Sequence, residues 1–214
     1  MTKDLKEIYD DFNKYKNKEI KISGWIRNHR KQKEIGFIDF NDGTNFKGLQ
    51  LVYDNTLKDF ANIQKLHIGS AITVVGTLVE SSRKEQPFEV VVKNIKLEGD
   101  CPEDYPIQPK RHTREFLREQ AYLRPRTNLF SAVFRVRSIA AMAIHEYFQK
   151  NNYVYVHTPL ITTADCEGSD QMFKITTFDF DDLPLNEDKK VDMTKDLFGK
   201  KAFITGTGQL HGEA

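Results

Sequence analysis

The sequence predicts a small β-barrel followed by an α+β segment. From about residue 19 to 98, apolar side chains alternate with period two and turns break the run, the signature of half-buried strands. The stretch GDCPEDYPIQPK then places three prolines in twelve residues, and beyond it apolar residues recur at helical spacing.

Five segments are candidate strands: EIKISGWIRN, EIGFIDF, FKGLQLVYD, AITVVGTLV and FEVVVKNIKL. NDGTN, between the second and third, is a tight-turn sequence, because Asn, Asp and Gly tolerate the backbone a short connection needs. Between the third and fourth, TLKDFANIQKLHIG spaces Leu57, Phe60, Ile63 and Leu66 on one helical face and closes at Gly69. Five strands with a helix between the third and fourth is the order of an OB-fold, a common oligonucleotide platform. SSRKEQP joins the last two strands. After the linker, Thr113 caps a short helix, TREFLREQAYL. A longer helix runs from about Asn128 to Lys150, where Asn151 and Asn152 end it. YVYVHTPLI reads as a strand, ITTADCEGSDQMF as a polar loop and AFITGTGQL as another strand. The predicted domains are a barrel over 1–100, a hinge over 101–127 and an α+β portion over 128–214.

With 214 residues, 39% of them hydrophobic and 29% charged, the chain has room for a real core and the composition of a soluble protein. No apolar run is long enough to span a membrane, and MTKDLKEIYDDF is too charged for a secretory signal. Cys101 and Cys166 have neither metal-ligand spacing nor the look of a disulfide framework, which fits a reduced, cytosolic compartment. The net charge of +1 hides an uneven distribution. Residues 14–33 carry Lys14, Lys16, Lys18, Lys21, Arg27, Arg30, Lys31 and Lys33 against Glu19 alone, and residues 179–198 carry seven acids against three lysines. A basic stretch of that kind attracts a polyanion locally.

Strand parity sorts the side chains further. Ile20, Ile22 and Ile26 share one face, leaving Trp25, Arg27 and His29 on the other. Ile38 and Phe40 oppose Phe37 and Asp39, and Leu49 and Leu51 oppose Gln50. One surface is therefore expected to collect an aromatic ring, Arg27, His29 and Gln50, groups that stack on bases and read their edges. A bulge in a strand would reverse part of this assignment.

Three further stretches resemble a known family in order along the chain: DYPIQPKRHTREFLREQAYLRPRTNLFSAVFRVRS, NNYVYVHTPLITTADCEGSDQMF and AFITGTGQLHGE. Together with the barrel, they make essentially the whole chain similar to the N-terminal part of the bacterial-type asparaginyl-tRNA synthetases, of class IIb. The resemblance implies an all-β OB-fold barrel followed by the start of an α+β class II catalytic domain, an antiparallel sheet with helices. The long helix, YVYVHT and Pro159 match the family's motif 1, which implies a homodimer interface there. Phe37 matches the aromatic that stacks the central anticodon uridine, Gln50 the glutamine that contacts anticodon bases, and Arg27 lies where basic anticodon contacts occur. Glu167 matches a mobile-loop glutamate and Gln209 a strand glutamine; both hold the amino acid's ammonium group.

Where aspartate enzymes of the subclass carry a lysine, this chain has Gly212, and Glu213 follows as an acceptor for a carboxamide NH2. That polarity suits asparagine and repels aspartate. The family's motif usually reads VSGQLN where this chain has GTGQLH, so His211 puts a titratable group near the pocket the resemblance implies. The resemblance implies asparagine and ATP, with Mg²⁺, giving an adenylate and then asparaginyl-tRNA(Asn). The family's motifs 2 and 3, with their phosphate-binding arginines, lie beyond Ala214. The chain is therefore expected to be a piece cut inside its active site, inactive alone, with no catalytic residue of its own. Two rival readings are an aspartyl enzyme of relaxed specificity and a non-catalytic OB-fold RNA-binding protein.

Overall fold

A computed structural model of the chain describes residues 2–81, 86–164 and 172–213. These divide into two compact units, Met1–Ala140 and Ala141–Ala214. The first holds the barrel, the linker and the start of the long helix. Strands β1 (Glu19–Lys31), β2 (Ile35–Asn41), β3 (Leu49–Asp54), β4 (Ala71–Glu80) and β5 (Phe88–Gly99) close in the order β1-β2-β3-β5-β4. All neighbours are antiparallel except β3 and β5, whose parallel register sets Gln50 opposite Glu89. Closure removes every sheet edge, and the alternating residues Ile22, Ile38, Phe40, Leu51, Val74 and Leu78 fill the interior.

Two short helices, α1 (Leu5–Asp10) and α2 (Phe12–Tyr15), lie outside the sequence expectations and complete this core with Leu5, Ile8 and Tyr15. They are pinned by polar bonds: the Leu5 amide donates to Asp42 at 2.7 Å and the Tyr9 hydroxyl to the Gly48 carbonyl at 2.6 Å. NDGTN forms its turn through Asx bonds, with Gly43 at φ 85° and its amide donating to the Asn41 side chain at 2.7 Å. The connection between β3 and β4 is helical only over α3 (Phe60–Ile63), shorter than predicted, and Gly69 ends it at φ 92°. The linker packs rather than dangles, burying Cys101, Ile107 and Leu117. In it, α4 (Arg114–Glu119) is capped by the Thr113 hydroxyl, which accepts from the Phe116 amide at 3.2 Å.

The predicted long helix is α5 (Asn128–Lys150), and it runs across the division between the units. In the second unit, β6 (Ile161–Thr162), β7 (Lys174–Ile175) and β8 (Ala202–Ile204) form a small antiparallel sheet in the order β6-β8-β7. The strand expected over YVYVHTPLI is confined to its last residue and the one after. A strand exists only against a hydrogen-bonding neighbour, and β8 extends to pair with Ile161 and Thr162 alone. Tyr153–Val156 consequently lie exposed, Val154 at 84%, as do Val136, Ile139 and Tyr147 along α5. The strand expected over AFITGTGQL likewise ends at Ile204, and Gln209–Gly212 forms one helical turn, α6.

Candidate nucleic-acid interface

The barrel's outer face is set by an irregularity in β1. Trp25 and Ile26 pair with Asn41 and Phe40, but the next pair is Asn28 with Asp39. Arg27 is therefore the extra residue of a β-bulge, and parity reverses after it. His29, expected outside, turns inward opposite buried Ile38; Arg30 takes the outward place opposite Phe37. The expectation that Arg27 and His29 share a face with Phe37 and Gln50 is corrected accordingly.

His29 is fixed at both ring nitrogens. Nδ1 lies 3.1 Å from the Leu66 carbonyl, which can only accept, so Nδ1 carries the proton. Nε2 therefore accepts from the Tyr53 hydroxyl at 2.6 Å. Burial lowers the His29 pKa, with the Leu66 bond opposing, and burial pushes the Tyr53 phenol up to about 12. A neutral imidazole and a protonated phenol form one partly buried pair, tying β1 to β3.

Outside, Arg30 joins the predicted residues into one constellation. Its guanidinium carbon sits 5.3 Å from the Phe37 ring centroid, its Nη2 donates to Gln50 Oε1 at 2.8 Å, and it lies 3.6 Å from Asp39. Gln50, only 1% exposed, uses its other end to donate from Nε2 to Glu89 Oε2 at 2.9 Å. Each acceptor and donor of that amide is thus oriented by a charge, which fixes the group before any ligand arrives. The result is a half-buried aromatic beside a planar cation and an oriented amide, with Val52 and Val91 on the same outward parity of β3 and β5. Arg30 and Glu89 were missed in the sequence. Glu89 was within reach, because Phe88, Val90 and Val92 point inward and the OB order sets β5 beside β3; Arg30 was not, because nothing in one strand announces a bulge.

Arg27 makes a different set of contacts. It donates to Asn128 Oδ1 at 3.3 Å and, with Asn28 and Asp39, lines a cavity of about 690 Å³ against linker residues 107–112. Burial lowers its pKa, Arg126 acts in the same direction, and Tyr105 and Asp39 oppose them. Trp25 is covered by Arg126, whose guanidinium carbon is 4.9 Å from its ring centroid.

In the second unit, Gln209 Nε2 donates to Glu213 Oε1 at 2.6 Å across the turn of α6, and both side chains are exposed. Gly212 has open space around it, His211 and Pro159 are exposed, and Glu167 lies outside the described residues. Among the described residues, no three His, Cys, Asp or Glu side chains are grouped to hold a metal ion.

Residues 20–98 match the OB-fold nucleic acid binding domain, and residues 113–207 match the tRNA synthetases class II (D, K and N). The chain is 56% identical over 211 residues to the asparagine–tRNA ligase of Acholeplasma laidlawii, covering 98% of this chain and 46% of that protein. It is 50% identical over 213 residues to the asparagine–tRNA ligase of Alkaliphilus metalliredigens, again covering 46% of the relative. The chain thus spans about half the length of the curated relatives it matches. In fold it is similar to the Pyrococcus horikoshii asparaginyl-tRNA synthetase complexed with asparaginyl-adenylate. That match has a TM-score of 0.72 at 23% identity over 92% of this chain and 42% of the other. A putative aspartyl-tRNA synthetase from Leishmania major Friedlin matches with a TM-score of 0.75 at 15% identity, over 99% of this chain and 39% of the other.

Proposed function

The chain belongs to the class II tRNA synthetases of the D, K and N group, and on that premise we propose that it is part of an asparagine–tRNA ligase whose barrel binds the anticodon of tRNA(Asn). The observation that carries the RNA half is the outward constellation of Phe37, Arg30 and Gln50 on a closed OB barrel. Phe37 stacks the central anticodon base, Arg30 supplies charge and donors, and Gln50, 1% exposed, reads the base edge once Arg30 swings off its Oε1. Glu89 holds the Gln50 amide in one orientation.

The amino-acid half rests on Gln209, Gly212 and Glu213. The Glu213 carboxylate already accepts from a carboxamide NH2, that of Gln209, which is the contact proposed for the side chain of asparagine. With its nitrogen so engaged, Gln209 turns an amide oxygen to an ammonium group, a role that Glu167 shares. Gly212 puts no cation beside them to attract aspartate. In the whole enzyme ATP activates asparagine to the adenylate, the tRNA accepts it, and motif 1, with Pro159, pairs two subunits in the cytoplasm. Mg²⁺ would accompany the ATP in the whole enzyme; among the described residues no three His, Cys, Asp or Glu side chains are grouped to hold it.

The test is titration of the chain with an anticodon stem-loop RNA. Binding should weaken with salt and should lose about 1–3 kcal/mol in Phe37→Ala, the scale of one stacked base. Unchanged affinity in that variant would refute the assignment of this face.

A further inference from the structure

The bulge that moves Arg27 off the base-reading face delivers it to another place. Its side chain is half-buried, and among the described residues it donates to a neutral amide, Asn128. Among the described residues no carboxylate lies within ion-pair distance of it. Asp39 lines the same cavity but is already engaged, Oδ2 by Asn28 at 3.2 Å and Oδ1 by Arg30 at 3.6 Å. A cation partly withdrawn from water with no ion-pair partner of its own is costly, and an anion arriving beside it offsets that cost. Burial and repulsion by Arg126 act on Arg27 as on such a cation, and Tyr105 and the already engaged Asp39 oppose them only in part.

The cavity is shaped for that arrival. Lys110, Arg111 and His112 line it from the linker, with Arg27 opposite and Asn41 and Gln108 as neutral donors. Its volume of about 690 Å³ falls in the range of about 300–1,000 Å³ typical of small-ligand sites. Among the described residues that line it, Asp39 is the one acid. Asp39 and Asn28 also stand on the outward parity of β2 and β1, so a strand lying over Phe37 continues towards this opening.

We propose that this cavity is a second RNA contact, an anion subsite in which Arg27, Lys110 and Arg111 take a phosphodiester of the strand whose base stacks on Phe37. The assignment to RNA rests on the reading of the outer face given above; the anionic character of the ligand does not. The subsite adds affinity without sequence preference, because a phosphate carries no base identity.

The experiment compares the full 214-residue chain with its Arg27→Gln, Lys110→Gln and Phe37→Ala variants. Each is titrated with the stem-loop RNA, and with the same RNA carrying a changed central base, over about 0.05–0.3 M salt. Arg27→Gln should lower the slope of log affinity against log salt by about 0.7, the single-strand value for one phosphate, which is about five-fold in affinity near 0.1 M. Its discrimination between the two RNAs should equal that of the unaltered chain. Lys110→Gln, an exposed change on the linker, should lower the slope in the same sense and keeps the test decisive if Arg27→Gln misfolds. Phe37→Ala should lose affinity with its slope intact.

Slopes that stay unchanged in both cation variants overturn the proposal, and so does an Arg27→Gln variant whose base discrimination shifts, since Arg27 would then be reading a base. Inorganic pyrophosphate separates the sources. If it raises the melting temperature of the unaltered chain but not of Arg27→Gln while the RNA slopes coincide, the occupant is a free phosphate compound and the RNA assignment fails. If the unaltered chain binds neither RNA, the reading of the outer face falls, and the phosphodiester assignment with it.

Discussion

Replacing Tyr53 by Phe tests the partly buried pair that the β1 bulge creates by turning His29 inward. The substitution removes one oxygen from a side chain that is 2% exposed and leaves the ring volume nearly unchanged, so cavity formation is a minor term. What it removes is the donor 2.6 Å from His29 Nε2, on an imidazole whose proton is committed to the Leu66 carbonyl. A buried acceptor left without a partner costs about 1–3 kcal/mol, and since His29 is only partly buried the lower half of that range, about 1–2 kcal/mol, is expected. With a urea dependence of about 1–3 kcal/mol per molar, the unfolding midpoint should fall by roughly 0.5–1 M. Urea melts at neutral pH, followed by the far-ultraviolet signal of the barrel, measure it. The stem-loop affinity of the folded fraction should change little, because Arg30, Phe37 and Gln50 keep their own contacts. A midpoint shift below about 0.2 M would refute the hydrogen-bond assignment, since it would place the loss well under the cost of any unpaired buried acceptor.

His29 also predicts an acid sensitivity. Its folded pKa is lowered, so the unfolded chain binds the proton first as pH falls; stability present above the ordinary value of about 6.5 is lost as pH drops through it. His29→Gln should flatten the stability profile between about pH 5 and 7, and an unchanged profile would assign the sensitivity elsewhere. Tyr53 works in the opposite direction: its phenol, raised to about 12, stays protonated after the unfolded one has ionised near 10, so stability should fall above about pH 10, read by ultraviolet absorbance of tyrosinate alongside unfolding. Gly36→Ala would set a methyl group 2.1 Å from Tyr53 Cζ, and because that ring is buried and hydrogen-bonded the overpacking should cost about 1–3 kcal/mol in the same urea assay.

The five strands, their turns and the long helix were legible because each is written in local periodicity that one segment carries by itself. Phe37 and Gln50 were placed outward for the same reason, and the family was legible in three ordered motifs. The β1 bulge was not legible, because an extra residue is defined by what it fails to pair with across the strand; one such residue exchanged His29 for Arg30 and sent Arg27 to a cavity. Glu89 became part of the site only through the parallel register of β3 and β5, a contact 39 residues apart in the chain. The strand expected from Tyr153 failed on the same ground, since aromatic and β-branched residues favour extended backbone but a ladder needs a neighbour. Sequence determined which residues can be buried and in what rhythm, and tertiary structure decided which neighbours they meet, because pairing is a property of two segments and periodicity of one.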